Sequence, residues 1–422
     1  MKLVENGKKK GTGLKVKYVS GVAAVPLVET YHAELGHVVK SENLQNAESG
    51  RITQHIEIAL PEGVSYQEGD HLGILPVNPE SLVQRVLKRF ALQGSSHLVL
   101  SASGRSSAHL PVGTPVRLDD LLARSVELQE PATRAQLREL AAYTVCPPHA
   151  KELTAMLDDE IYQSEIRAKR ITMLDLIERY EACEIPFERF MELLPALKPR
   201  YYSISSSPKV SENIVSITVS VVRDAAWSGQ GEYKGIASNY LEGLDTGTEV
   251  FLFVRTPESG FHLPEDAESP IIMIGPGTGV APFRGFIQAR KVMKEQNIKL
   301  GEAHLYFGCR NPEHDYLYKE ELVAAQEEGL VTLHTAFSRV NGQEKCYVQH
   351  LMKQDAEHLL SLLEQGAKMY ICGDGTKMAP DVEQTLIAAY QSKHGVSEDE
   401  ALAWLTGLES SGKYAKDVWA GA

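Results

Sequence analysis

Residues 271–283 read IIMIGPGTGVAPF, and the reading of this stretch decides the fold. Ile271 to Ile274 are all apolar, which suits a short strand buried on both faces rather than one with a wet side. The turn Gly275-Pro276-Gly277-Thr278-Gly279 follows, and Ala281-Pro282-Phe283 opens a helical pattern that runs to Gln296. A strand, a glycine-rich turn and a helix start together present backbone N–H groups to a phosphate or a flat cofactor. The spacing excludes two familiar motifs. Glycines at 275, 277 and 279 followed by Val280 break the G-x-G-x-x-G fingerprint, and no Lys-Ser/Thr pair makes a Walker loop. The local pattern therefore leaves a ligand site and a plain β–turn–α connection equally open.

Downstream, strands are expected at 271–274, 303–308, 331–337 and 368–372, with helices near 281–296, 317–328, 355–365, 376–394 and 397–410. Such alternation implies a parallel sheet covered on both faces. In that architecture a ligand lies beyond the carboxyl ends of the strands. Those ends carry Gly275 to Gly279, Gly308-Cys309-Arg310, Ser338-Arg339 and Cys372-Gly373-Asp374, all small, polar or cationic. Ser338, Arg339, Lys345 and Tyr347 place two cations and two hydroxyls within ten residues, a set that suits a phosphate monoester. A solvated loop is the competing reading. Asp417-Val418-Trp419 reads as a surface tail, or as a flat lid if Trp419 is anchored over a cofactor.

Upstream, residues 35–76 alternate as antiparallel β structure, for example Ile52 to Ile58. From Ser81 to Leu197 the period becomes helical, as in Leu82, Val86 and Phe90, and strand chemistry returns at Arg200 to Ile204 and Ile214 to Val222. A helical insertion within a β domain is the simplest arrangement. Strand alternation sends Arg200 and Tyr202 to one side and Tyr201 and Ser203 to the other. Gly235-Ile236-Ala237-Ser238 opens a helix and offers an anion site at its start, with a plain Ser238 cap as the alternative. Residues 1–20, with Lys8-Lys9-Lys10, read as a solvated tail or linker remnant.

The 422 residues are 43% hydrophobic and 23% charged, ordinary for globular domains, and sum to a charge of −13. An acidic chain argues against nucleic-acid binding. No apolar run of membrane-spanning length and no secretory leader is evident, so no membrane association and a cytoplasmic location are expected. Cys146, Cys183, Cys309, Cys346 and Cys372 show no C-x-x-C pattern, and no metal site is expected from them.

Taken in order, RYYSISSS at 200–207, KGIAS at 234–238, GPGTGVAPF at 275–283, YFGCR at 306–310, AFSR at 336–339, KCYVQH at 345–350, CGDG at 372–375 and KDVWAG at 416–421 resemble the FAD- and NADPH-binding module of the diflavin reductases. Within that family, of the NADPH–cytochrome P-450 reductase type, the chain is similar to the reductase half of the bacillar self-sufficient fatty-acid hydroxylases, where a P-450 is fused to its reductase. The resemblance implies a ferredoxin-reductase-like fold. It divides the chain into an antiparallel FAD-binding barrel at 21–80 and 196–265, a helical connecting domain at 81–195 inserted in it, and an α/β NADPH domain with a parallel sheet at 266–422. The FMN-binding flavodoxin-like domain and the haem domain of the family are absent from these residues, which read as a module of a longer polypeptide.

The resemblance also implies site residues. Arg200 would contact the FAD pyrophosphate, with Tyr201 beside it, and Tyr202 would lie against the isoalloxazine ring. Thr218, Val219 and Ser220 would line the flavin, and Gly235, Ile236, Ala237 and Ser238 would hold the pyrophosphate. Gly277, Thr278, Gly279, Cys309, Arg310 and Asp381 fall to NADPH, and Ser338, Arg339, Lys345, Tyr347 and Gln349 to its 2′-phosphate side. Ser203, Cys372 and Asp417 would surround the hydride path, with Trp419 stacked on the flavin until nicotinamide displaces it. The implied activity is hydride transfer from NADPH to FAD, then single-electron delivery to an FMN domain and a P-450 haem. A sulfite-reductase haemoprotein as acceptor, or a non-catalytic flavin- or nucleotide-sensing role, is the alternative.

Overall fold

The computed structural model describes residues 14–19, 26–102, 109–225 and 232–419. Lys8-Lys9-Lys10, most of the stretch read as a tail, and the last three residues lie outside the described residues. The described strands are β1 Leu14–Val19, β2 Glu34–Asn43, β3 Thr53–Ala59, β4 His71–Ile74, β5 His97–Ala102, β6 Pro115–Arg117, β7 Arg200–Ser203, β8 Ile214–Ser220, β9 Arg223–Ala225, β10 Glu232–Lys234, β11 Glu249–Arg255, β12 Ile271–Ile274, β13 Ala303–Cys309, β14 Thr332–Phe337, β15 Lys368–Asp374 and β16 Tyr414–Trp419.

The chain divides into two compact units. One comprises Met1–Ala33, as far as it is described, with Leu75–Arg200 and Val222–Tyr240. Helices such as Glu80–Arg89, Arg134–Tyr143, Met173–Arg179 and Phe187–Leu193 enclose a core in which Val86, Leu121, Leu137 and Phe190 are fully buried. Two helices begin with reciprocal caps. The Thr133 and Thr172 hydroxyls accept the N–H groups of Gln136 and Asp175, whose side chains accept the N–H groups of Thr133 and Thr172. Each such cap contributes about 1 kcal/mol.

This unit also holds an antiparallel sheet of order β1-β5-β6 and the ribbon β9–β10. β1 was not expected, because its stretch reads as a tail. Its apolar Leu14, Val16 and Tyr18 alternate with Lys15 and Lys17, and the lysines obscure that period in the sequence.

The other unit comprises Glu34–Ile74, Tyr201–Val221 and the described part of Leu241–Ala422. It contains a six-stranded sheet of order β7-β4-β11-β2-β3-β8, with antiparallel pairing through β4, β11, β2, β3 and β8. It also contains a five-stranded parallel sheet of order β14-β13-β12-β15-β16. Both sheet types match the expected fold class.

The parallel sheet is covered on both faces, as IIMI requires. Ile272, Ile274, Met369 and Ile371 pack among Leu359, Leu363, Val382 and Leu405. Ile271, Met273, Tyr370 and Cys372 pack on the opposite face among Phe261, Phe283, Phe286 and Leu322. Burying a side chain of this size contributes about 1.5–3 kcal/mol, so a strand with no wet side is favoured only in the middle of such a sandwich.

The chain builds outward from β12 to β14, then returns to the other side of β12 for β15 and β16. That reversal creates a crevice at the carboxyl ends of β12 and β15. The sequence missed the helix Val348–Gln354 and read β16 as a tail. β5 and β6 are strands within the stretch from Ser81 to Leu197 expected to be helical, and the boundaries of the elements expected from Ile271 onward shift by only a few residues.

Candidate functional site

The crevice is formed first by backbone. Gly277–Val280 makes one tight 3-10 turn that leads into the helix Ala281–Glu295. Gly277 has φ +59°, a left-handed conformation that favours glycine. Gly279 is required by proximity, since a Cβ there would sit 2.1 Å from the Cys372 carbonyl oxygen. The turn after β12 thus packs directly on the end of β15, with Thr278 half-buried.

A polar cluster occupies the same strand ends. β15 and β16 run side by side with Cys372 opposite Asp417. The Ser203 hydroxyl donates to Asp417 Oδ2 at 2.5 Å and lies 3.9 Å from Cys372 Sγ, and the Cys372 thiol approaches Asp417 Oδ2 at 3.7 Å. His71 Nε2 stands 3.0 Å from Asp417 Oδ1, close enough for an ion pair when the ring is charged, though poorly aligned for a hydrogen bond. Burial pushes the Asp417 carboxyl up, but His71 and the Ser203 and Cys372 donors outweigh it and hold it below its usual range. Burial and the Asp417 charge push the Cys372 thiol well up, so it stays protonated. This cluster combines a fixed carboxylate, a hydroxyl and a neutral thiol, a set able to orient a polar ring and stabilise positive charge. Trp419 ends β16 opposite Asp374, its carbonyl accepting the Gly375 N–H at 2.8 Å, and is 42% exposed. It is a strand end anchored by its backbone and partly open to solvent.

Further along the sheet, Ser338 and Arg339 are tied by their N–H groups to the carbonyls of Cys309 and Arg310 at 3.1 and 2.7 Å. The Arg310 Nη2 is engaged by Asp315 at 2.8 Å and by the Ser49 carbonyl at 2.7 Å. The Cys309 thiol is pushed up to about 12 by burial, helped by Asp315. Arg339, Lys345 and Tyr347 are exposed, and Gln349 donates to Asp381 at 3.2 Å.

Arg51 was missed by the sequence reading. Burial and then the charges of Arg310 and Arg339 disfavour its charged form, which places three guanidiniums near one another. Among the described residues no ion pair forms with Arg51, Arg339 or Lys345. Arg310 is paired with Asp315, whereas Arg51 and Arg339 have no ion-pair partner among the described residues and suit an anionic ligand. No sequence signal marks Arg51, which lies in the β2–β3 connection.

Of the residues expected at a flavin, Arg200 donates to the Lys198 carbonyl at 2.8 Å and reaches Glu127 only at 3.5 Å. Burial raises the Glu127 carboxyl above its usual range, against the pull of the Arg200 charge. Gly235, Ile236, Ala237 and Ser238 form the start of the helix Ile236–Glu242. The Ser238 hydroxyl accepts the Val222 N–H at 3.1 Å, while the first-turn N–H groups have no partner within the helix.

Tyr201 is exposed, edge-on to Phe253 and under the Arg255 guanidinium, and Tyr202 is half-buried. On β8, Val219 is buried and Ser220 exposed. The Thr218 hydroxyl shares a hydrogen bond with the Tyr318 hydroxyl at 2.6 Å, and the residue is buried. Within one unit, the Arg200 guanidinium and the helix-start N–H groups are donors of the kind a pyrophosphate takes; Tyr201 and Tyr202 belong to the other unit.

The model of the FAD binding domain family matches residues 28–240, and that of the oxidoreductase NAD-binding domain matches residues 273–384. The chain is 58% identical over its whole length to the bifunctional cytochrome P450/NADPH–P450 reductase of Bacillus cereus and to reductase 1 of that name from Bacillus subtilis. It is 39% identical over 97% of its length to a self-sufficient cytochrome P450 monooxygenase of Phanerodontia chrysosporium. The chain spans only 38–40% of the length of these relatives.

Proposed function

The chain belongs to the FAD-binding domain family and carries an oxidoreductase NAD-binding domain behind it, and from that premise we propose that it is the FAD- and NADPH-dependent reductase part of a cytochrome P450 fusion. The observation that carries this reading is the Ser203–Cys372–Asp417 cluster at the carboxyl ends of β15 and β16. FAD, when bound, accepts a hydride from NADPH and releases the electrons singly, here to an FMN domain and then a haem.

The chain's own residues would bind, orient and shield. Arg200 and the N–H groups of Ile236 to Ser238 would hold the flavin pyrophosphate; Tyr202 and Trp419 would lie against its ring. Ser203 would orient the nicotinamide, and the ionised Asp417 would stabilise its developing positive charge. Cys372, kept neutral, would fill the floor without competing as a nucleophile. Arg51, Arg339 and Lys345 would take the adenosine 2′-phosphate, with Ser338, Tyr347 and Gln349 beside it.

The functional division would follow 21–80 and 196–265 for FAD, 81–195 as connector and 266–422 for NADPH. Cytoplasmic residence fits this reading, since all five cysteines are free. Among the described residues no helix is long and apolar enough to cross a membrane.

Anaerobic mixing of the FAD-loaded chain with NADPH should bleach the flavin band within seconds, and faster than NADH does. In Trp419→Ala the preference for NADPH should shrink, because the ring no longer blocks the flavin face. A yellow protein that NADPH leaves unbleached would instead be a sensing module.

A further inference from the structure

At the opposite end of the parallel sheet from the crevice, three side chains converge on one point. Glu302 immediately precedes β13, His304 is its second residue, and His358 lies on the helix Ala356–Glu364. Glu302 Oε1 is 2.7 Å from His304 Nε2 and 2.8 Å from His358 Nε2, and the two nitrogens are 3.3 Å apart. His304 is buried, whereas Glu302 and His358 are exposed, so the triangle has one wet side.

Behind it, Asp355 Oδ2 stands 3.0 Å from His334 Nδ1 and also receives the Tyr306 hydroxyl at 2.9 Å. Where His334 carries its hydrogen on Nδ1, its Nε2 offers a lone pair 3.0 Å from His304 Nδ1, and His304 donates to it. In that tautomer His304 Nε2 turns a lone pair toward a carboxylate oxygen 2.7 Å away, two donor atoms that a cation, whether proton or metal, bridges. His358 Nε2 adds a third donor atom to the same point, more than one proton needs. Asp355 and His334, which share no contact with the point itself, would hold the His304 ring in the tautomer a metal requires.

We propose that Glu302, His304 and His358 bind a divalent borderline metal ion, Zn2+ or a neighbour such as Co2+, with the remaining position open to water. Two imidazoles and a carboxylate are a donor set that such ions take, and a tetrahedral ion with bonds of about 2.0–2.1 Å needs donor atoms about 3.3 Å apart. The His–His edge already has that length, and the two edges to the carboxylate need to open by only about half an ångström. No metal is expected from the cysteines, and these donors are histidines and a carboxylate. The separation of Glu302 and His304 from His358 has no recognisable spacing, and only the packing of β13 against the helix unites them. The site lies at the amino ends of the strands and does not depend on the nucleotide reading.

Equilibrium dialysis of the full chain against buffered Zn2+ tests this without any turnover. One equivalent should bind, and Co2+ should give a tetrahedral absorption band to the red of any flavin. His358→Gln, at a half-exposed helix position, should weaken Zn2+ by about 100-fold while leaving the metal-free unfolding midpoint unchanged. Asp355→Asn, which touches no donor atom, should weaken it about 10–100-fold. Failure of the wild-type chain to take up a stoichiometric ion would overturn the proposal and leave a protonated histidine pair. Equal affinity in wild type and His358→Gln would overturn it as well.

Discussion

Asp417 keeps a carboxylate at a site only 11% exposed, because His71, Ser203 and Cys372 together outweigh the cost of burial. Its folded-state value is depressed, so its contribution to stability is present above the ordinary carboxylate value and is lost as pH falls through the lower folded one. The stability difference between wild type and Asp417→Asn, read from urea unfolding, should therefore hold from pH 7 to about 4 and shrink below that. A difference constant down to pH 2 would contradict the assignment. The same variant should slow flavin bleaching by about 10–100-fold, the loss expected for one charge-assisted contact of about 1.5–3 kcal/mol.

Arg339 and Lys345 make a second prediction at this scale. Removing both should cost NADPH about 3–6 kcal/mol and NADH little. Equal losses for the two nucleotides, in kcat/KM, would refute a phosphate role. Arg339 and Lys345 were legible in the sequence because they follow a strand end. Arg51 was not, since nothing local distinguishes an arginine in a distant loop from a solvated one. Thr218 shows the converse, because its match to a motif gave no sign that its hydroxyl would pair with that of Tyr318.

At the scale of elements, the turn after β12 and the end of β15 behave as one piece. The close approach at Gly279 is backbone to backbone, so no rotamer change can relieve an added methyl. Gly279→Ala should retain FAD, seen as the visible spectrum, and yet bleach with NADPH about 5–150-fold more slowly, because overpacking of this kind costs about 1–3 kcal/mol and displaces the crevice floor. A wild-type rate would show that the floor does not matter.

β12 was legible because four consecutive apolar residues are hard to place anywhere else. β16 was not. Tyr414 and Ala415 are buried and Lys416 pairs with Glu383 and Glu409, but a short strand at a sheet edge has no length or period of its own until β15 is beside it. β1 was missed for a related reason, since alternating lysines look like solvated sequence until β5 supplies the other strand.

For the molecule as a whole, the order of strand and helix patterns revealed both sheet types, because period is a local property of sequence. The division into compact units was not legible, since it depends on which distant strands pair. One pairing has a further consequence. β4 and β7 are neighbours in the six-stranded sheet, although the helical stretch Leu75–Arg200 separates them in sequence. The chain departs and re-enters at adjacent strands, so this stretch is a detour whose doorway is closed whatever its length. Loop closure grows only with the logarithm of length, about 0.6 kcal/mol per doubling. Residues added within the detour therefore cost little in closure entropy and leave the β12 and β15 strand ends untouched, whereas exchanging it whole would also remove β5, the partner of β1.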